Sequence, residues 1–390
     1  MDTAAVHDSK NSTLVPVLGL SFFAVASGFL MSLIPLSLTS FGLDKTLVPW
    51  LASIFYLGLL IGATSVERVI SKIGHRAAFV AFLCLLIASI IIMLLLAIES
   101  VWLGARFIAG MAVAGVFVVV ESWLLMANNA KARAKRLGLY MTSLYGGSAL
   151  GQLAIGPLGT DGVTPYLYII GLLMLAVLPP LLIKSGQPEK KAQQKMRINE
   201  IKKLSRPAII GCLISGLLLG PIYGLMPSYI TAQDAQVQHT GILMACIVLG
   251  GMLVQPLVSY LSTRMSKSLL MAMFSLLGTL AVVGILESQP LLLIGVSYLV
   301  LGAASFALYP IAITLACETL PMAKIVSATE IMLLSYSVGS VLGPLFATKL
   351  TQSSNGILYY LGGIMLTSCL YMLIKSIEKL ESGHKPVAGL

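Results

Sequence analysis

From about position 14 to position 375 the chain alternates long apolar blocks with short polar breaks, and each block is an almost unbroken run of Leu, Ile, Val, Ala, Gly and Met. The blocks fall near 14–41, 46–69, 77–98, 101–126, 137–158, 164–183, 207–231, 239–262, 268–287, 290–316, 325–350 and 356–375. Each reaches about 20 residues, the length at which a helix crosses a bilayer core. The alternating period of a membrane β-barrel is absent. The pattern therefore predicts an all-α membrane protein with twelve transmembrane helices.

Composition agrees with the pattern. Of the 390 residues 57% are hydrophobic and only 10% charged, against about 25% charged in a water-soluble domain. The net charge of +10 would fit a nucleic-acid binder if the cations formed one patch. They are instead distributed among alternate breaks. Lys10, Arg68, Lys72, Arg76, the Lys131 to Arg136 group, the Lys184 to Arg206 segment, Arg264, Lys267, Lys324, Lys375, Lys379 and Lys385 share one side. The other side carries Asp44, Glu99, Asp161, Asp234 and Glu287, with Lys45 as its one basic loop residue. By the positive-inside rule both termini are cytoplasmic, and the expected partner is the lipid bilayer and not nucleic acid.

The polar stretch SGQPEKKAQQKMRINEIKKLSR (185–206) divides the runs six and six. It reads as a solvated cytoplasmic linker between an N-terminal unit, 1–184, and a C-terminal unit, 207–390. The units resemble each other at one offset. GFLMSLIP (28–35) aligns with GPIYGLMP (220–227), and GSALGQ (147–152) with GSVLGP (339–344), both displaced by 192 positions. Gly58 with Gly250 and Gly110 with Gly302 keep that displacement. Such a repeat predicts two pseudo-symmetric six-helix bundles around a site near the membrane midplane. The five cysteines lie in or beside apolar runs without metal-ligand spacing, and they read as small core residues. No metal, cofactor or cleaved leader is expected, and the working unit is expected to be a monomer.

Polar residues are unevenly shared among the runs. The third and ninth are nearly featureless, whereas the fifth holds Tyr140, Thr142, Ser143, Tyr145, Ser148 and Gln152. Ser32, Tyr223, Tyr309 and Tyr336 join Tyr145 and Gln152 as candidate substrate-binding residues. In the fourth run, VFVVVESWLL (116–125) places Glu121 among apolar neighbours. An intramembrane carboxylate costs roughly a few kcal/mol and usually marks a cavity, a partner or a proton path. Glu121 is the first candidate for proton coupling and Glu330 the second; the rival reading makes Glu121 a structural hydrogen-bond acceptor. Arg106 precedes Glu121 by fifteen residues, about 60° away around the helix and about 22 Å along it, so the two can share a wall but not pair. All four histidines lie outside the runs or at their edges, which argues against a histidine relay. Gly147, Gly151, Gly156, Pro157, Gly339, Gly343 and Pro344 mark the fifth and eleventh runs as places where helices slide or bend.

These motifs together resemble the major facilitator superfamily over essentially the whole chain, and VVVESWLL, GLMPSYI, ALYPIAITLACE and LLSYSVGSVLGP resemble its YcaD-type bacterial branch. RFIAG (106–110) is similar to the motif whose arginine is implicated in proton coupling in drug/proton antiporters, which implies that role for Arg106 and a conformational one for Gly110. GQLAIGPLG (151–159) resembles the antiporter motif with one residue more between Gly151 and Gly156. SKIGHR (71–76) keeps Lys72, Gly74 and Arg76 of the gating loop but has Ser71 where the family has aspartate, so a gating ion pair would need another acid such as Glu67. The resemblance implies a secondary transporter of the bacterial inner membrane, not an enzyme, working by alternating access. The expected activity is proton-coupled export of a small organic molecule. The aromatic, hydroxyl-rich runs suit amphipathic or weakly cationic cargo. A uniporter or importer with a structural Glu121, and a non-transporting receptor or assembly factor on the same fold, are the alternatives.

Overall fold

The computed structural model describes residues 14–125, 130–182, 205–233, 236–288, 290–318, 322–349 and 354–383, and all regular structure among them is helical. The α-helices are α1 (Leu14–Ser37), α2 (Val48–Leu95), α3 (Glu99–Leu125), α4 (Ala130–Leu153), α5 (Ile155–Leu158), α6 (Thr164–Leu182) and α7 (Arg206–Gly224). They continue with α8 (Met226–Gln233), α9 (Val237–Ser262), α10 (Lys267–Glu287), α11 (Leu291–Cys317), α12 (Met322–Lys349) and α13 (Gly356–Gly383).

Ten helical segments among the described residues are long and apolar enough to cross a membrane, against twelve runs in the sequence. Part of the difference lies in α2. Its 48 residues would extend about 72 Å as one helix, more than twice the ~30 Å hydrocarbon core. It breaks at Gly74, whose φ of 82° and ψ of 164° are reachable almost by glycine alone, and so joins two of the runs. The remainder is α4, which begins in the basic stretch 131–136.

Two runs that the sequence predicts as single helices are interrupted. The 137–158 run breaks at Ala154, three residues before Pro157, and the 207–231 run breaks at Leu225, two before Pro227. A proline has no N–H to give and its ring crowds the carbonyl four residues back, so the preceding turn yields. Pro344, also expected at a bend, sits inside α12 without ending it.

The internal repeat reappears in the packing. Cβ atoms added at Gly58 and Gly110 would strike the backbone carbonyls of Phe107 and Phe55, and at Gly250 and Gly302 those of Leu299 and Ile247. Every partner in the second set is displaced from the first by the same 192 positions. Gly151 against Val25 and Gly343 against Leu217, and likewise Gly28 against Ser148 and Gly220 against Ser340, repeat the rule. Close backbone approach at glycine is how helices associate where no hydrophobic effect drives them together. One set of helix crossings is therefore used twice.

Across the division at 183–204, α4 packs on α9 and α2 on α12. The outer surface is apolar: Leu95, Leu167, Leu178, Leu280 and Leu292 are exposed. A continuous surface of this kind suits lipid and not water.

Candidate functional site

The described part of α3 that carries Glu121 is otherwise packed. Val119, Val120, Trp123 and Leu124 are buried, yet Glu121 is exposed. Its electrostatic neighbours are Tyr140 on α4 and Tyr309 on α11. The carboxylate thus lies within electrostatic range of residues on both sides of the 183–204 division, and it has no hydrogen-bond partner among the described residues. Glu330 lies in α12, but its side chain is outside the described set.

Next to this carboxylate the structure gathers an aromatic layer. Tyr145 of α4 meets Phe306 of α11 edge-on at 5.5 Å between ring centroids, and Tyr223 of α7 meets the same ring at 5.9 Å. Tyr309 and Tyr336 pair at 5.1 Å. All four tyrosines are half-buried, so an apolar surface with phenolic edges is available between the helices. Phe306, shared by two of them, was missed by the sequence reading because a phenylalanine in an apolar run gives no polar signal.

Ser32 and Gln152 belong to a different feature. The Ser32 hydroxyl donates to Gln152 Oε1 at 2.6 Å, and Gln152 Nε2 donates to the Gly28 carbonyl at 2.8 Å, all buried. Their hydrogen bonds tie α1 to α4 instead of pointing at open space.

Arg106 is 5% exposed, and its guanidinium lies over the Phe55 ring at 4.3 Å. Among the described residues its Nε has no hydrogen-bond partner and no carboxylate pairs with it. Burying an ion costs several kcal/mol after relaxation, and a desolvated cation–π contact returns about 2. The guanidinium is therefore under-compensated. It lines a cavity of about 20 Å³, room for a single water, together with Ala52, Phe55, Tyr56, Tyr223 and Gly224.

The two parts of the chain touch beside that cavity, at the end carrying Asp44 and Asp161. A Cβ at Gly224 would strike Ala52, one at Gly241 would come within 2.5 Å of the Gln152 carbonyl, and one at Gly156 within 3.0 Å of Gln238 Cβ. Ser228 also approaches the Pro35 carbonyl at 3.5 Å. At the opposite end, just past the break in α2, Arg76 donates from Nε to the Pro180 carbonyl and from Nη2 to that of Leu181 at 2.9 Å. A cation on the last carbonyls of a helix is favourable, and this one anchors α2 to the end of α6. Lys72 is exposed nearby, and Lys267 at the start of α10 pairs at 2.8 Å with Glu318 just after α11. Gly110, Gly147, Gly151, Gly339 and Gly343 are all crossing points between helices, while Pro157 is exposed on α5. Among the described residues no group of three His, Cys, Asp or Glu is placed to hold a metal ion.

Comparison with known proteins gives a consistent result. The profile described as Major Facilitator Superfamily matches residues 17–344 and 235–389. An uncharacterised MFS-type transporter of Enterobacter sp. (strain 638) is 32% identical over 383 residues, covering 96% of this chain and 97% of its own. The uncharacterised MFS-type transporter YcaD of Escherichia coli O9:H4 (strain HS) is 31% identical over 378 residues, covering 95% and 96%. Among solved structures, the D323A mutant of the nucleoside transporter NupG superposes with a TM-score of 0.78 at 14% identity, over 93% of this chain and 99% of that one.

Proposed function

Because the chain belongs to the Major Facilitator Superfamily, a family of membrane transporters, we propose that it moves a small organic molecule by alternating access, coupled to protons and in the direction of export. Twelve spans form two six-helix bundles, 1–184 and 207–390, joined by the linker 185–206. Ten spans come from the apolar helices, an eleventh from the break inside α2 and a twelfth from α4 with α5. The basic loops lie in the cytoplasm of a bacterium, both termini with them, and the protein works as a monomer in the inner membrane.

The observation that carries the reading is Glu121, an accessible carboxylate in an otherwise buried stretch of α3, within electrostatic range of Tyr140 and Tyr309, which belong to opposite bundles. A proton bound there is felt by both bundles at once, which is the requirement for linking protonation to their relative movement. The rival role, a structural acceptor, lacks a donor among the described residues. Close approach at the acidic end and an exposed Glu121 near the basic end correspond to a state open to the cytoplasm.

The test is proton release by purified protein in detergent as compounds of a small-molecule library are added, for wild type and Glu121→Gln. Compound-dependent release in wild type that disappears in the variant is the expected result. Equal binding by both proteins with no proton movement overturns the coupling role and leaves a uniporter.

A further inference from the structure

The Arg106 cavity has features that the coupling reading does not use. A guanidinium that is 95% buried should have a counter-charge, yet the two anions on its own helix, Glu99 and Glu121, lie about 10 Å and about 22 Å along the axis, too far to pair with it. Its contacts are the Phe55 ring and two tyrosines close enough to interact electrostatically, Tyr56 and Tyr166. The Tyr166 hydroxyl is already paired with Ser37 at 2.6 Å. Tyr56 and Tyr223 line the cavity, and neither is hydrogen-bonded to a described residue. A forked cation and two phenolic hydroxyls around one small cavity form an acceptor's site without the acceptor.

We propose that Arg106 is the docking point for a single carboxylate on the transported molecule, whose apolar body lies on the layer of Tyr145, Tyr223 and Phe306. This inference rests on the transporter reading and deepens it. A planar guanidinium holds a carboxylate through two parallel hydrogen bonds, a geometry that an amide or an amine does not reproduce. A dianion such as a phosphate monoester calls for a second cation. Arg106 is the one basic residue among those that line the cavity. The inference reverses the cargo charge expected from the composition of the runs, because a buried, under-compensated guanidinium repels a cationic molecule.

The size of the cavity fixes when the site is occupied. At about 20 Å³ it admits one water and no carboxylate, and its wall includes Gly224 pressed on Ala52. Parting the bundles at this end opens the wall that closure seals. In the closed arrangement the anion is excluded, and Phe55 is left as the partner of the guanidinium.

The experiment is titration calorimetry on the full chain in detergent with three probes of one shape: phenylacetate, phenylacetamide and phenethylamine. Phenylacetate is expected to bind wild type at least about tenfold more tightly than the other two, since hydrogen bonds to charged groups are worth that factor or more. Arg106→Gln is expected to bind acid and amide alike, and Arg106→Lys to recover part of the preference. If Arg106→Gln does not fold, Tyr56→Phe removes one cavity hydroxyl at constant charge, and the acid's affinity is expected to fall severalfold while the amide's holds. Wild type binding the acid no better than the amide, including no detectable binding of the acid, overturns the proposal. So does a preference that survives Arg106→Gln, or an acid affinity untouched by Tyr56→Phe. Binding needs no gradient, which separates the two readings. A charge preference in a protein that releases no protons sinks the coupling role alone, and proton release without a charge preference sinks the carboxylate site alone.

Discussion

Gly241→Ala tests whether closure at the acidic end is set by backbone contact between the bundles. The added methyl would lie 2.5 Å from the Gln152 carbonyl oxygen and 3.3 Å from Ile155 Cβ. Ordinary contact begins near 3.4 Å, so the first overlap is about 0.9 Å. Gln152 cannot retreat cheaply, because its side chain is bound at 2.6 Å to Ser32 and at 2.8 Å to the Gly28 carbonyl, and α4 would have to drag α1 with it. The strain is therefore relieved by moving α9 away from α4, which is the opening motion. Overpacking of this kind costs about 1–3 kcal/mol. Borne only by the closed arrangement, that cost shifts its ratio to the open one by about 5- to 150-fold. The assay is a pulsed-EPR distance between spin labels at Thr46 and Gln233, exposed residues near this end on opposite bundles. Gly104→Ala is the control, since a Cβ there meets nothing within 4 Å. A longer distance population in Gly241→Ala, absent from Gly104→Ala, is expected. An unchanged distribution in a folded Gly241→Ala protein would refute the claim that this contact holds the end shut.

Three further substitutions probe how the bundle is held. Gln152→Ala leaves the buried Ser32 hydroxyl and Gly28 carbonyl without their partner, and about 1–3 kcal/mol of stability is expected to be lost, read as a lower melting temperature in detergent; Ser32→Ala, which leaves the Gly28 bond intact, is expected to cost less. Gly74→Ala forces a side chain into a backbone region that glycine alone enters readily, at about 1–3 kcal/mol, and it misdirects Arg76 from the end of α6; a melting temperature equal to that of Gly104→Ala would show that the break tolerates a Cβ.

How much of this was legible in the sequence depends on which physical signal each feature leaves. Hydrophobic runs mark lipid crossing directly, and the 192-residue displacement marked paired crossings because glycine is chosen where backbones touch, whichever helix supplies the touching carbonyl. The same rule could not tell which glycines serve the seam between bundles: Gly224 and Gly241 look like any other, and only their partners, Ala52 and Gln152, distinguish them. Polarity was an equally partial guide. It drew attention to Ser32 and Gln152, which are tied to each other, and to four tyrosines that share one layer, but it passed over Phe306, whose ring joins two of them. Arg106 shows the limit most clearly. Its charge and position were plain in RFIAG, while its lack of a carboxylate partner among the described residues is a property of the space around it, which no spacing along the chain encodes. A charge without a partner among the described residues points to a partner that arrives from outside, and that inference begins only once the neighbours are known.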